Sequence, residues 1–185
     1  MLKKWKTESK KNLGNHKIFD VEIVRRTNPQ DGKTSEFTVL NSENWVNIIV
    51  ITKSNEIVLV NQYRHGTNTI ELEIPGGLIE TDETPGQASI RECKEETGYV
   101  SDSPVEFLGE IFPNPAFLDN RCYTFLWENC EQKLEQNLDD FEDIDIIKYP
   151  IEDIKNLILK GEIRHGVIIA AFNLLMLRKR NLWEK

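Results

Sequence analysis

Gly77-Leu78-Ile79-Glu80-Thr81-Asp82-Glu83 and, after seven further residues, Arg91-Glu92-Cys93-Lys94-Glu95-Glu96-Thr97-Gly98-Tyr99 are the residues on which the fold is decided. The stretch between and through them reads as a helix marked at both ends. Thr84 is placed to be its N-cap, Pro85 takes the first helical position, and Gln87 completes a capping box. Gly98 stands where a left-handed residue closes a helix. The spacing predicts a helix over Pro85–Thr97. At about 100° per residue, Ile90, Cys93 and Thr97 share one side, the expected core face. Glu92, Glu95 and Glu96 share the other, with Ala88 between them and Arg91 at the edge.

Three carboxylates at i, i+3 and i+4 are neighbours in space, and like-charge pairs at this spacing each destabilise a helix by roughly 0.2–0.5 kcal/mol. They also fall in the last turns, where the helix dipole disfavours negative charge by roughly 0.3–1 kcal/mol. Arg91 is the local compensation. Two readings follow from the residues. The trio is a solvated acidic face, as charged helix faces commonly are. Or it is a cradle for a hard divalent cation such as magnesium (Mg2+), which takes a few carboxylate oxygens together with water and phosphate oxygens.

Working outward, strands dominate. Phe19, Val21 and Ile23 alternate with Asp20, Glu22 and Val24; a turn signal at Asn28-Pro29-Gln30-Asp31-Gly32 leads into Phe37-Thr38-Val39-Leu40, a strand pair. Further strands are expected at Val46–Ile51, Glu56–Gln62 and Glu71–Ile74, the last ending at Pro75-Gly76-Gly77. Beyond the helix come Glu106–Ile111, Cys122–Trp127 and Asp143–Tyr149, then helices over Ile151–Leu159 and Ile163–Arg178. Mostly strands with three helices is an α+β order, not a regular βαβ alternation.

The chain has 185 residues, 39% hydrophobic and 29% charged, which fits one soluble globular domain or one domain with a small extension. No apolar run approaches the ~18 residues of a membrane span, and the basic start Met1–Lys6 is followed by polar residues instead of a secretory signal's apolar stretch. Cys93, Cys122 and Cys130 lack a C-x-x-C spacing, which argues for a reducing cytoplasmic setting and against a disulfide framework or zinc site. Acids outnumber bases 31 to 23, for a net charge of −8, opposite to the excess expected of a nucleic-acid or anionic-membrane binder.

The two quoted segments resemble the Nudix hydrolase signature: Gly, five residues, Glu, seven residues, then Arg-Glu-aliphatic-x-Glu-Glu-x-Gly-aliphatic. Every charged and glycine position is matched by Gly77, Glu83, Arg91, Glu92, Glu95, Glu96 and Gly98. Cys93 and Tyr99 fill the aliphatic positions, and Asp82 stands where many relatives carry Gly, a place where Asp tolerates the left-handed region. The resemblance implies that Glu92 and Glu96 bind divalent metal, Mg2+ or Mn2+, and that Glu95 assists. It implies that Arg91 holds the carboxylates, that Glu83 braces the loop or adds a metal contact, and that the backbone carbonyl of Gly76 completes the coordination.

Flanking residues are similar to the ADP-ribose pyrophosphatase group of that family. Gln62-Tyr63-Arg64 looks like its Gln-aromatic-Arg strand and Glu73-Ile74-Pro75-Gly76-Gly77 like its Glu-x-Pro-Ala-Gly lead-in, with Gly76 for Ala. Pro115 and the Glu152–Ile169 segment extend the similarity. Arg64 is then the candidate for substrate recognition, since a guanidinium can hold phosphate or sugar oxygens in bidentate fashion. Glu142, in the acidic run before Ile144, matches the group's catalytic base, with another loop carboxylate as the alternative. His65 and His165 read as ordinary polar residues, and Trp45, Tyr63 and Phe112 as core candidates, with stacking on a base as the alternative. The implied fold is the Nudix α/β/α sandwich with a mixed sheet over residues 45–185, plus an N-terminal β extension over 1–44 that serves a homodimer. The implied reaction is metal-dependent hydrolysis of a nucleoside diphosphate sugar to a nucleoside monophosphate and a sugar phosphate. The alternatives are other nucleotides (triphosphates, dinucleoside polyphosphates, capped RNA) or a catalytically silent nucleotide binder. The nucleotide sugar is the only partner implied besides a second copy; neither nucleic acid nor membrane is.

Overall fold

The computed structural model describes residues 1–182. The chain divides into two compact units, Met1–Asn44 with Phe112–Arg121, and Trp45–Ile111 with Cys122–Lys185.

In the first unit, β1 (Lys6–Asn15), β2 (Asp20–Thr27) and β3 (Thr34–Asn41) form an antiparallel sheet in the order β1-β2-β3. β2 and β3 pair without a slip from Asp20↔Asn41 to Thr27↔Thr34, as the alternation and the turn between them dictate. β1 is a strand the pattern does not announce: Lys-Thr-Glu-Ser-Lys-Lys carries no apolar period and is exposed throughout. Its ladder to β2 holds it, with Lys10 Nζ donating to Glu22 at 2.9 Å and Thr27 Oγ1 to Glu8 at 2.9 Å. Residues 112–121 belong to this unit because their polar groups close its last strand. Leu40 N–H donates to the Phe117 carbonyl (2.8 Å), Ser42 N–H to Asp119 Oδ1 (3.1 Å) and Arg121 N–H to Asn44 Oδ1 (2.8 Å).

The second unit is built on an eight-stranded mixed sheet: β4 (Trp45–Thr52), β5 (Glu56–Arg64), β6 (Thr69–Glu73), β7 (Gly76–Leu78), β8 (Tyr99–Val100), β9 (Glu106–Ile111), β10 (Cys122–Gln132) and β11 (Ile144–Pro150). The central order is β11-β5-β4-β10-β8, with β6 on β5, β7 on β4 and β9 on β10; β4 and β10 are parallel and the other pairings antiparallel. β4 is apolar on both faces, as a strand covered on both sides must be. Val46, Ile48 and Val50 pack with Ala88 and Cys93 of α1 (Pro85–Thr97). Ile49 and Ile51 pack with Ile154 and Leu157 of α2 (Ile154–Leu159) and with Ile168, Ala171, Phe172 and Leu175 of α3 (Gly166–Arg178). Each of the Val, Ile, Leu and Phe side chains among these contributes about 1.5–3 kcal/mol on burial. The result is the three-layer α/β/α sandwich with a mixed sheet that the resemblance implied, with the N-terminal strands as a β extension.

Two boundaries move from the sequence expectation. β10 runs on past Trp127 to Gln132. A register shift between Trp127 and Cys130, with Asn129 at φ 60°, lets its end pair with β8 instead. α3 starts at Gly166, not Ile163, because Ile163 is fully buried and its N–H closes α2 on the Leu157 carbonyl at 3.2 Å. No helix among the described residues is long and apolar enough to cross a membrane.

Candidate active site

α1 forms where its ends dictate. Thr84 is extended (φ −80°, ψ 156°), Gln87 N–H donates to Thr84 Oγ1 at 3.3 Å, and Thr84 N–H donates to Gln87 Oε1 at 2.9 Å. Gly98 closes the helix at φ 69°, its N–H on the Lys94 carbonyl. The turn before the helix survives without glycine because Asp82 takes φ 71°, as the sequence suggested.

The helix does not divide into a core face and a solvent face. Cys93 and Thr97 are buried as expected, but so are Ala88 and Glu96, both placed on the acidic side by the wheel. Ala88 packs with Val46, Ile48 and Val50 of β4, and β7 covers Glu96. Glu96 is 2% exposed and accepts the Gly76 N–H at 3.1 Å. The Glu92 carboxylate lies so close to Gly77 that a Cβ there would sit 2.4 Å from Oε1. A side chain at 77 would push that carboxylate out of its place.

Arg91 organises the rest. Nε and Nη2 donate to the two Glu83 oxygens (3.2 and 2.7 Å), Nη2 also to the Leu78 carbonyl (2.9 Å), and Nη1 to Glu92 Oε1 (2.9 Å) and Glu95 Oε2 (3.0 Å). Those five bonds use all five N–H groups of a guanidinium. The Arg91 fork draws Glu83 below the usual carboxylate range, and Glu83 in turn raises Arg91. Glu92 behaves oppositely. Burial pushes it up to about 7, against the pull of Arg91. Glu96 is pushed well above the ordinary value, first by burial and then by the charges of Glu92 and Glu142, with only the Gly76 N–H and distant Arg64 opposing.

The loop carrying Glu142 is tied to the C-terminal end of α1. Asn137 N–H donates to the Glu95 carbonyl (2.8 Å), and Gln136 Nε2 bridges the carbonyls of Glu96 (2.6 Å) and Ile144 (3.1 Å). Glu142 is near enough for its charge to act on Glu92, Glu96 and Arg64. So the fold gathers Arg91, Glu92, Glu95, Glu96, Gly76 and Glu142 around one end of the helix, with Arg64 within electrostatic reach.

Arg64 is not a free strand-end arginine. Its Nε and Nη2 grip the two oxygens of Glu73, each at 2.9 Å, and His165 Nδ1 lies 2.9 Å from Glu73 Oε2. His165, read from the sequence as an ordinary polar residue, therefore belongs to this cluster. The period-two spacing of Glu71 and Glu73 on β6 could have placed both carboxylates on one face. Nothing local points from Glu73 to a histidine 92 positions on. Tyr63 and Phe112, core candidates in the sequence, are 41% and 51% exposed; Tyr63 stacks edge-on with His65 and Phe112 lies under the Arg121 guanidinium at 5.1 Å.

Among the described residues no three acidic, His or Cys side chains converge into a closed cage, Glu92 and Glu95 being turned on to Arg91. The donor chemistry nevertheless fits a hard divalent cation. Glu96, buried against the Gly76 N–H, and the partly buried Glu92 are hard oxygen donors whose charged forms burial disfavours, a penalty that a bound cation offsets.

Comparison with known proteins agrees with this geometry. Residues 43–172 match the family model of the NUDIX domain. The chain is 27% identical over 177 residues to the ADP-ribose pyrophosphatase of Bacillus subtilis, covering 94% of each. It is 29% identical over 163 residues to the methanol dehydrogenase activator of Bacillus methanolicus, covering 88% of this chain and 84% of that one. The crystal structure of an ADP compounds hydrolase superposes with a TM-score of 0.87 over 98% of this chain and 97% of its own, at 20% identity, a likeness of fold.

Proposed function

The chain belongs to the NUDIX domain family and is a pyrophosphohydrolase, and from that premise we propose that it hydrolyses the diphosphate link of a nucleoside diphosphate sugar of the ADP-ribose kind, with Mg2+ as its cofactor. The observation that carries the reading is the pair of carboxylates against β7, Glu96 buried on the Gly76 N–H and Glu92 partly buried beside Gly77 and braced by Arg91. The end-to-end similarity to an ADP-ribose pyrophosphatase supports the substrate class.

In this reading Glu92 and Glu96, helped by Glu95 and the Gly76 backbone, hold the cation. When bound, it supplies charge neutralisation for the diphosphate and a lower pKa for the attacking water. The chain's own groups do the remainder. Arg91 keeps Glu92 and Glu95 from splaying apart under their own repulsion. Arg64 presents its unused N–H groups to substrate oxygens. Glu142 takes the proton from the water as its oxygen bonds to phosphorus. The bridging P–O bond breaks, giving a nucleoside monophosphate and a sugar phosphate. The same reading takes residues 1–44 as the pairing element of a cytoplasmic homodimer, supported by Leu13, Ile18 and Phe37 standing exposed on that sheet and its connections; a monomer mass in solution would remove that element.

The decisive experiment is purified protein with Mg2+ against ADP-ribose, GDP-mannose, UDP-glucose, NADH, dinucleoside polyphosphates and nucleoside triphosphates, with and without chelator. Monophosphate release from nucleotide sugars, stopped by chelator and by Glu96→Gln in a folded protein, is expected. Full turnover by folded Glu96→Gln would overturn the metal assignment, and preference for triphosphates would overturn the substrate class.

A further inference from the structure

We propose that Glu73 is a positioning residue that locks Arg64 and His165 into a single receptor for the anionic part of the substrate. The substrate's identity rests on the hydrolase reading above; the receptor rests on geometry.

Glu73 ends β6 with its side chain 2% exposed, while the side chains of Arg64 and His165 are 40% and 39% exposed. The carboxylate is thus inside and both partners reach outward from it. Its Oε1 accepts from Arg64 Nε, and its Oε2 accepts from Arg64 Nη2 and faces His165 Nδ1, all at 2.9 Å. A carboxylate buried to this degree costs several kcal/mol unless it is paired and hydrogen-bonded. Burial pushes Glu73 up, but the bonds from His165 and Arg64 outweigh it and hold the group at about 2. An ionised Glu73 can only accept, so the proton of the His165 ring sits on Nδ1. That fixes the tautomer and leaves Nε2 as the nitrogen a ligand can use. On the other side, the fork uses two of the five N–H groups of Arg64 and leaves three.

The arrangement is repeated one step along the strand. Glu71, two residues earlier on the same face of β6, holds Arg164 with two bonds of 2.8 Å. Arg164 and His165 are adjacent just before α3, so β6 clamps both ends of that dipeptide. Glu73 joins that dipeptide to Arg64 at the end of β5. If the pairs were simply a staple between strand and helix, Glu71–Arg164 would suffice. Glu73 adds a second cationic group whose charge acts on Glu96 and which feels Glu142.

The test uses the full chain without metal, so that no turnover intervenes. Binding of ADP-ribose and of inorganic pyrophosphate in EDTA is measured by calorimetry for the parent, Glu73→Gln, His165→Ala, Arg64→Ala and the double variants. Loss of the charge that holds both partners should weaken binding about 10- to 100-fold in Glu73→Gln. Adding His165→Ala to Glu73→Gln should weaken it little further, because the ring is already released. In steady state with Mg2+, Glu73→Gln should raise KM more than it lowers kcat, and Glu73→Asp should recover part of the affinity. Long-range 15N spectra should show Nδ1 protonated in the parent. Equal binding by parent and Glu73→Gln, or fully additive double variants, would overturn the proposal. Should Glu73→Gln not fold, a parent spectrum with the proton on Nε2 would do so. If the parent hydrolyses no nucleotide sugar, the hydrolase reading falls, while pyrophosphate binding and the 15N spectra still decide this one.

Discussion

Replacing Gly77 by Ala tests the site with the least disturbance elsewhere. The added Cβ would lie 2.4 Å from Glu92 Oε1, 2.6 Å from Cδ and 2.8 Å from Oε2, where ordinary contact begins at 3.4 Å. The carboxylate must therefore retreat by about 1 Å. It is the far end of a flexible side chain, so the fold can absorb the change; the cost is the Arg91–Glu92 bond of 2.9 Å and some strain, about 1–2 kcal/mol together. Catalysis has no such latitude, because a misplacement of about 1 Å costs on the order of 100-fold. The expected result is a protein that melts within a few degrees of the parent and releases monophosphate at roughly a hundredth of its rate. Gly66→Ala is the control: a methyl there meets nothing within 4 Å, and stability should stay within about 0.5 kcal/mol. Undiminished turnover by Gly77→Ala would show that Glu92 does not work from the position it holds against β7.

Arg91→Lys keeps the charge but brings three donors to five acceptors, so activity should fall at least about tenfold and the melting temperature should drop, read by kinetics and calorimetry. In metal-free protein at pH 8, Glu96→Gln should melt higher than the parent, because a neutral amide can still accept the Gly76 N–H without burying a charge; an equal or lower melting temperature would contradict the burial argument. Glu73, held at about 2 against an ordinary 4.5, contributes up to about 3 kcal/mol that is fully present above pH 4.5 and lost as the pH falls towards 2; urea titrations across that range should show this acid limb flattened in Glu73→Gln. Thr84→Ala removes the cap of α1 and should cost about 1 kcal/mol in the same titrations at pH 7.

Where residues specify structure through their neighbours in the chain, the reading was direct. Thr84, Pro85, Gln87 and Gly98 bound α1 as written, and Asp82 takes the left-handed turn in place of glycine. The order of strands and the acidic grouping on the helix follow from alternation and spacing. What was hidden depends on what lands opposite. β1 is a strand because β2 offers it a ladder, not because its residues favour one. Glu96 is buried because β7 covers the side of α1 that a wheel assigns to water. Arg64 looks like a free cation until Glu73 is placed across the β5–β6 pair, and His165 looks inert until α3 brings it to the same carboxylate. Gln136, which ties the Glu142 loop to two backbone carbonyls, carries no motif at all.

The charges of the site bear on how it could take a polyanion. Arg91 is fully engaged by Glu83, Glu92 and Glu95, and Arg64 is half engaged by Glu73; Glu96 and Glu142 add their own charge. Even if Glu92 and Glu96 are both protonated, Glu73, Glu83, Glu95 and Glu142 still outnumber the two guanidiniums. A diphosphate entering this environment adds at least two further negative charges, and the chain's net −8 offers no compensating field at longer range. Protein cations alone therefore leave the complex with a surplus of negative charge around the diphosphate, which weakens its binding. The carboxylates that make the site electrostatically poor are the ones that make it selective: it is complementary to a diphosphate in company with divalent cation, and holds the same anion only weakly, through Arg64 and His165, without it. On this argument affinity for a nucleotide sugar in chelator should be weak and depend almost wholly on Arg64 and His165, and the gain on adding Mg2+ should vanish in Glu96→Gln while the weak, metal-free binding persists.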